Sequence, residues 1–307
     1  MIYDLIIVGA GPAGVSAAIY AARQKLNILM LSKDIGGQVG KKAVDIENYL
    51  GFGKISGPNL VKIFEEQLEK NQIKIVLDEV LKIENNNGKF TLHTESGKIY
   101  ESLSVIIATG SDPRPLEVSG EKGFIGKGVS YCSLCDGPIF RDKTVAVVGG
   151  GNSGFESALF LSNYVNKIYI LEFGKEIKAD KENQELLAKT GKTEIITSAK
   201  ILKIEGDAFV SSLTYQDLMN NQEKKLDLDG VFVEIGYSPA TAFAESLVEF
   251  NDKDEIIADR ETYQTKTPGL FAAGDCNAGR YKQIVIAAAE GAKAALASYE
   301  YLQKIKQ

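Results

Sequence analysis

Histidine is nearly absent from this chain: one of its 307 residues, His93, is a histidine. That scarcity removes a multi-histidine metal centre and leaves a Ser–His triad one poorly placed candidate. His93 lies in the alternating run Lys89-Phe-Thr-Leu-His-Thr94, followed by Ser96-Gly97, which reads as a hairpin; a surface or packing role suits it. Cysteine is scarce too, with three residues and none before position 132. No apolar run approaches the length that spans a bilayer, and Ile284 to Ala289 is far too short. No secretory leader is expected, because Ile2-Tyr-Asp-Leu-Ile-Ile-Val8 already reads as a first strand. A net charge of −6 argues against nucleic acid, which would require a basic patch. The expectation is therefore no membrane partner, no nucleic-acid partner and a cytoplasmic location. In that compartment a close cysteine pair is more often catalytic than structural.

What is present is ordinary in bulk and unusual in pattern. With 44% hydrophobic and 25% charged residues, the chain can bury a large core and is long enough for two domains. Gly9-Ala-Gly-Pro-Ala-Gly14 and Gly149-Gly-Gly-Asn-Ser-Gly154 are two copies of one glycine fingerprint. Each follows an apolar strand, at 5–8 and 145–148, and opens a helix, over 13–23 and 153–163. Each helix leads to another apolar strand, over 27–31 and 167–171, at one constant offset. In that context the motif binds a dinucleotide. Gly9 and Gly149 allow the tight turn, Gly11 and Gly151 let the backbone approach a pyrophosphate, and Gly14 and Gly154 allow close helix–strand packing. The helix N-terminus favours the phosphate charge. Two such sites suggest a fixed flavin and a passing nicotinamide nucleotide.

Between the copies, 64–70 reads as helix, 74–83 as strand and 104–110 as a buried strand ending at glycine. Asp112-Pro113-Arg114-Pro115 stiffens the chain and forbids helix, which makes it a candidate hinge. Residues 226–235 read as one strand closed by Gly236-Tyr-Ser-Pro239, 270–275 as a strand ending in a Gly-Asp turn, and a last helix begins near Gln283.

The residue ending the second strand of each copy reports on the ribose. In the second copy it is Glu172, which would accept from a 2′-hydroxyl and repel a 2′-phosphate. Phe173 and Gly174 follow, with no arginine to hold such a phosphate. NADH is thus favoured over NADPH, although Lys175 and Lys178 nearby weaken the argument. In the first copy the position is Ser32, which departs from the fingerprint; Asp34, two residues on, is the candidate ribose contact.

Cys132-Ser-Leu-Cys135-Asp136 lies between the copies. Cysteines at this spacing can close a small disulfide ring on a turn. They can also be half of a zinc site, for which the chain offers only Cys276, His93 and carboxylates as further ligands, or an inert pair. Asp136 can shuttle the proton that leaves as a thiolate forms; Asp-Gly-Pro is also turn chemistry, and the two roles are compatible. Cys276 reads as a buried packing cysteine. Ile139 and Phe140 are either an apolar docking patch or core.

These features resemble the low-molecular-weight thioredoxin reductases over essentially the whole chain. The landmarks are both glycine fingerprints, Gly36-Gly37-Gln38, Glu47-Asn48-Tyr49, Ala108-Thr109-Gly110, the cysteine turn, and Phe271-Ala-Ala-Gly-Asp275 with Tyr281-Lys282-Gln283. The resemblance implies an α/β protein of two Rossmann-like, three-layer ββα domains, the second inserted in the first. An FAD-binding domain would comprise 1–114 and 247–307, and a nicotinamide domain with the cysteine pair 115–246. It implies FAD contacts from Gly9, Gly11, Pro12, Ala13, Gly14, Asp34, Gly36, Gly37, Gln38 and Asn48. Ala108, Thr109, Gly110, Gly274, Asp275, Lys282, Gln283 and Ile284 would complete that site. Gly149, Gly151, Asn152, Ser153, Gly154 and Glu172 would hold the nicotinamide nucleotide. Cys135 would face the flavin and Cys132 would be the interchange thiol, with the inserted domain turning about linkers near 114–118 and 244–248. Ala240 departs from the family's usual asparagine.

NADPH-dependent members carry His-Arg-Arg where this chain has Glu172, Phe173 and Gly174, and a later arginine where it has Lys178. In this stretch the chain is similar to the reductase portion of the flavoprotein of alkyl hydroperoxide reductase, which has an extra thioredoxin-like module at its N-terminus. Three readings stand: a thioredoxin-type disulfide reductase, the flavoprotein of a peroxide-reducing system, and a flavin-dependent dithiol oxidase. A sensor or scaffold would need one nucleotide site to be dead, and both look intact. The expected partner is a separate thioredoxin- or glutaredoxin-like CxxC protein, upstream of a peroxiredoxin in the second reading, with the chain itself a homodimer.

Overall fold

The computed structural model describes residues 1–42 and 46–306. The chain forms two compact units, Met1–Asp112 with Ser238–Gln307, and Pro113–Tyr237. In the first unit a parallel sheet runs in the order Ile75–Leu77, Ile28–Ile35, Ile2–Ala10, Ile99–Ile107, Leu270–Ala272. Ile99–Ile107 forks. Its first half pairs antiparallel with Lys89–Thr94, while Val105 to Ile107 pair with Leu270–Ala272. The period-2 alternation of a strand sends Leu5 and Ile7 to one face and Ile6 and Val8 to the other. The first face packs on Ala17, Ala18 and Ala21 of the helix Pro12–Arg23, the second on Ile83, Phe90 and Leu92. Helix, sheet and antiparallel meander therefore make three layers around two cores. Alanine on Pro12–Arg23 lets the long helix Ile284–Ile305 lie close, where a side chain at Gly291 would collide with the Ala13 carbonyl.

The second unit repeats the plan. Its parallel order is Thr193–Ile196, Lys167–Leu171, Thr144–Val148, Gly230–Val233, Val129–Ser130. Val145 and Val147 face the helices Asn152–Leu161 and Lys181–Ala188. Ala146 and Val148 face the antiparallel strands Ala199–Gly206, Val210–Asp217 and Gln222–Asp227. The glycine-turn strands and helices lie within a residue or a few of the ranges read from sequence.

Four sequence expectations are corrected. The strand expected over 74–83 is two, Ile75–Leu77 in the parallel sheet and Val80–Asn86 in the antiparallel meander. The single strand over 226–235 is two. Gln222–Asp227 belongs to the antiparallel sheet and Gly230–Val233 to the parallel one. Asp229 makes the break, its N–H donating to the Thr144 carbonyl at 2.7 Å and its Oδ2 accepting from the Thr144 N–H at 2.9 Å. The helix expected over 64–70 starts at Gly57, because Pro58 occupies its first turn, where its missing N–H costs nothing, and Ser56 caps it. The expected linkers pack into cores: Ala244 and Val248 are buried in the first unit, and Leu116 and Val118 lie against the second. The chain crosses instead at Asp112/Pro113 and Tyr237/Ser238, so residues 238–246 belong to the first unit. Among the described residues, no helix is long and apolar enough to cross a membrane.

Candidate active site

Both glycine turns separate packing from binding. Gly9 and Gly149 have φ of +107° and +128°, a region that favours glycine. A side chain there would strike the carbonyl of Ala108 or of Glu234. A side chain at Gly14 or Gly154 would strike the carbonyl of the first glycine of its own turn. Gly11 and Gly151 are different, since a Cβ at either would meet nothing within 4 Å among the described residues. Among the described residues no contact requires glycine at the middle position, so the space beside it suits a ligand. Both residues are also N-caps without a side-chain cap, leaving the first helical N–H groups for an anion. The two cradles thus fit two dinucleotides.

Around the first cradle the sequence-expected FAD residues fall into three groups. Ser32 Oγ accepts from the Ala10 N–H at 3.0 Å and donates to the Asp34 carbonyl at 2.6 Å. Asp34 Oδ1 accepts from the Gly37 N–H at 3.1 Å, which ties the Gly36–Gly37 turn beside the cradle. Serine at position 32 thus braces the turn that carries Asp34. Asn48 Nδ2 donates to Gln283 Oε1 at 3.2 Å, joining two expected contacts distant in sequence. Gln38 Nε2 donates to the Ser111 carbonyl. Thr109 Oγ1 donates to the carbonyl of Ala240 at 2.8 Å; backbone supplies that acceptor, so the departure from asparagine leaves this contact intact.

The third group is the Gly274–Asp275 turn. Gly274, at φ +79°, passes close to the Ala13 methyl group. Glu290 Oε2 accepts from the Gly274 N–H at 2.7 Å and from Asn277 Nδ2 at 2.6 Å. Lys282 Nζ donates to the Asp275 carbonyl at 3.2 Å and pairs with Glu255 at 3.0 Å, so it braces this turn internally. Gln283 is the N-cap of the helix beginning at Ile284. Burial pushes the Asp275 carboxyl up to about 6. Glu290, Asn277 and Glu255 were not read from sequence; nothing marks them until the fold brings them to the turn.

In the second unit Glu172 is held at both oxygens. The Gly150 N–H donates to Oε2 at 2.6 Å and the Gly174 N–H to Oε1 at 2.7 Å. The carboxylate keeps further lone pairs for a ligand hydroxyl. Asn152 and Asp180 are linked twice, at 3.0 and 2.7 Å, which secures the loop after Glu172 to the glycine turn. Asn152 is thus a brace, and Ser153 stands exposed in the helix's first turn.

Cys132 and Cys135 are joined by a disulfide with Cα atoms 5.3 Å apart, within the ordinary range for that bond. Cys132 caps the short helix Ser133–Asp136, and its Sγ accepts from the Cys135 N–H at 3.2 Å. The next turn, Gly137–Phe140, buries Phe140 edge-on against Phe232, while Ile139 is 73% and Leu134 48% exposed. Phe140 is therefore core and leaves the apolar surface to Leu134 and Ile139. Burial raises the Asp136 carboxyl, opposed by Ser130 Oγ–H, which donates to its Oδ2 at 2.6 Å. Ser130 Oγ also accepts from the Cys132 N–H at 3.0 Å. Ser130 is a site residue that sequence reasoning missed, since a serine at a strand end carries no motif.

The third cysteine behaves otherwise. Cys276 is fully buried, its Sγ–H directed at the carbonyls of Ile107 and Ala273, and burial pushes its thiol up to about 11. Among the described residues no cluster of histidine, cysteine and carboxylate is placed to hold a metal. His93 lies on a hairpin, 3.4 Å from Glu84.

Known proteins resemble this chain in sequence and in fold. The chain is 41% identical to an NADH dehydrogenase of Bacillus subtilis over 98% of its own length. It is 39% identical over 99% of its length to the F component of the alkyl hydroperoxide reductase of Escherichia coli. It spans 58% and 59% of those two relatives. A thioredoxin reductase from Streptococcus pyogenes superimposes with a TM-score of 0.93 at 36% identity, covering 99% of both chains. One from Giardia duodenalis gives 0.92 at 30% identity over 98% of this chain and 99% of its own. Residues 3–291 match the family model for pyridine nucleotide-disulphide oxidoreductases, and the chain belongs to that family.

Proposed function

We propose that the chain is an FAD-dependent protein-disulfide reductase of the thioredoxin reductase type, with NADH as the preferred donor. The observation that carries the reading is the Cys132–Cys135 disulfide at the surface of a unit that also holds an open dinucleotide cradle. FAD, when bound, supplies two-electron transfer between a nicotinamide and a disulfide. In balance, NADH, a proton and the disulfide give NAD⁺ and the dithiol.

The chain's own groups do the rest. The Gly9–Gly14 turn, the Gly36–Gln38 segment, Asn48 with Gln283, and Asp275 would hold the flavin nucleotide; Gly149–Gly154 and Glu172 would hold the nicotinamide nucleotide. Asp136 follows Cys135 directly, its carboxyl raised by burial, and is placed to exchange a proton with a departing thiolate. The Cys135 N–H, already directed at Cys132 Sγ, is placed to steady a thiolate there. That donor and the family resemblance support Cys132 as the interchange thiol, although Cys135 is the more exposed of the two. The Cys132 thiolate would open a CxxC disulfide in a thioredoxin- or glutaredoxin-like protein. Leu134 and Ile139 would be the apolar contact beside it.

NADH preference is supported by the pinned Glu172 carboxylate, which a 2′-phosphate would meet at close range. The name of the B. subtilis relative points the same way, and the E. coli relative favours a second reading, the flavoprotein of an alkyl hydroperoxide reductase system. Partner identity separates the two. The test is anaerobic: reduce the FAD-loaded protein with NADH or NADPH, add candidate dithiol proteins with and without a peroxiredoxin, and follow reoxidation. NADH is expected to be the faster donor, and Glu172→Ala to lose about tenfold of that preference, the worth of one charged hydrogen bond. Faster reduction by NADPH would overturn the donor assignment.

A further inference from the structure

A second polar chain reaches the redox turn through Ser133. Ser133, inside the cysteine turn and 6% exposed, donates from Oγ to Ser157 Oγ at 2.9 Å. Ser157, 8% exposed on the helix Asn152–Leu161, donates to Glu234 Oε1 at 2.6 Å. Glu234 follows the strand Gly230–Val233, and its carbonyl is the atom that forces glycine at position 149. The chain of bonds therefore starts beside the nucleotide turn and ends between the two cysteines. Neither serine nor Glu234 has a role in the reading above.

We propose that Glu234 is a positioning residue for the Cys132–Cys135 turn, holding it through Ser157 and Ser133 and coupling its thiol reactivity to one proton. This rests on the disulfide-reductase reading and deepens it.

The physical case has two parts. Both serine hydroxyl protons are committed in one direction, so the carboxylate is the terminal acceptor that orders the chain. A buried negative charge two hydroxyls away opposes formation of a thiolate in the turn, and its neutralisation removes that opposition. Burial pushes the Glu234 carboxyl up to about 7, so the change falls in the working range of thiol chemistry. Glu156, on the same helix as Ser157, is the charged group whose field reaches Glu234, and it pushes in the same direction. The strand Thr144–Val148 and the Gly149–Gly151 turn beside it carry no charge. Asp136 is the other titratable group on the redox turn, and it is reached from Ser130 rather than from Ser157.

The test follows the dithiol, not turnover. FAD-loaded protein is reduced anaerobically, once with NADH and once with tris(2-carboxyethyl)phosphine. Alkylation of Cys132 and Cys135 by iodoacetamide is then timed by mass spectrometry between about pH 5.5 and 9. The wild-type profile should show an added inflection near the Glu234 midpoint of about 7. Glu234→Gln should remove that inflection and lower the thiol midpoint by about 0.5–1 unit. Ser157→Ala should weaken the inflection and Ser157→Thr, which keeps the hydroxyl, should preserve it. Superimposable profiles for wild type and Glu234→Gln would overturn the proposal. If NADH fails to reduce the pair while the phosphine-reduced protein still shows the Glu234 inflection, the reductase reading fails and this inference stands.

Discussion

The two units share a strand, a glycine turn and a helix, and differ in what stands at the carboxyl ends of their strands. In the first, polar groups brace one another: Glu290 holds Gly274 and Asn277, Lys282 pairs with Glu255, and the one cysteine is sealed beneath two carbonyls. In the second, two cysteines reach the surface, and two hydrogen-bonded groups meet their turn, Ser130 with Asp136 and Ser133 with Ser157 and Glu234. The backbone plan is common; the chemistry resides in a few side chains added to it. Burial makes the sharpest distinction, since a thiol pushed to about 11 is inert where a surface disulfide can exchange.

The cysteines should break the symmetry most strongly. Cys132→Ser and Cys135→Ser are each expected to reduce nicotinamide-driven disulfide reduction to background, while anaerobic bleaching of bound flavin by NADH continues. Cys276→Ser should leave turnover near wild type. Loss of flavin bleaching in the Cys132 or Cys135 variants would mean that the units do not divide the labour in this way.

The glycines give a smaller and opposite test. Gly11→Ala and Gly151→Ala should leave thermal unfolding within about 0.5 kcal/mol of wild type while weakening nucleotide retention, because their side chains would enter open space. Gly14→Ala and Gly154→Ala should cost about 1–3 kcal/mol through collision with the turn carbonyl. Equal destabilisation at all four positions would remove the distinction between packing and binding glycines.

The last comparison lies in pH. Burial raises Asp275 to about 6 in the first unit and Glu234 to about 7 in the second. A carboxyl whose folded value exceeds its unfolded value favours the folded state when protonated. Each contribution is therefore complete below about pH 4 and lost as pH rises, through about 6 for Asp275 and about 7 for Glu234. Urea unfolding across that interval should show Asp275→Asn flattening the lower part of the decline and Glu234→Gln the upper part. Unaltered slopes in both variants would show that neither carboxyl is held neutral by the fold.

Much of this is legible in the order of residues. Apolar runs feeding glycine turns located both parallel sheets, since a strand buried on two faces must be apolar throughout. The strands over Ala199–Asp217 escaped notice because a bulge between Ile201 and Lys203 lets Ile201 and Ile204 both face the core, which defeats simple alternation. The strand break at Asp229 is invisible for a similar reason: only the pairing with Thr144 sends Gly230 to a different sheet.

Sequence alone determined the doubled fingerprint, the cysteine spacing and the carboxylate at 172, because covalent order and local backbone freedom suffice for a turn. Tertiary structure decided which cysteine is sealed, which glycine faces empty space, and that Ser157 and Glu234 converge on the redox turn. Those are matters of distance between residues remote along the chain, and they exist only after the sheets have packed.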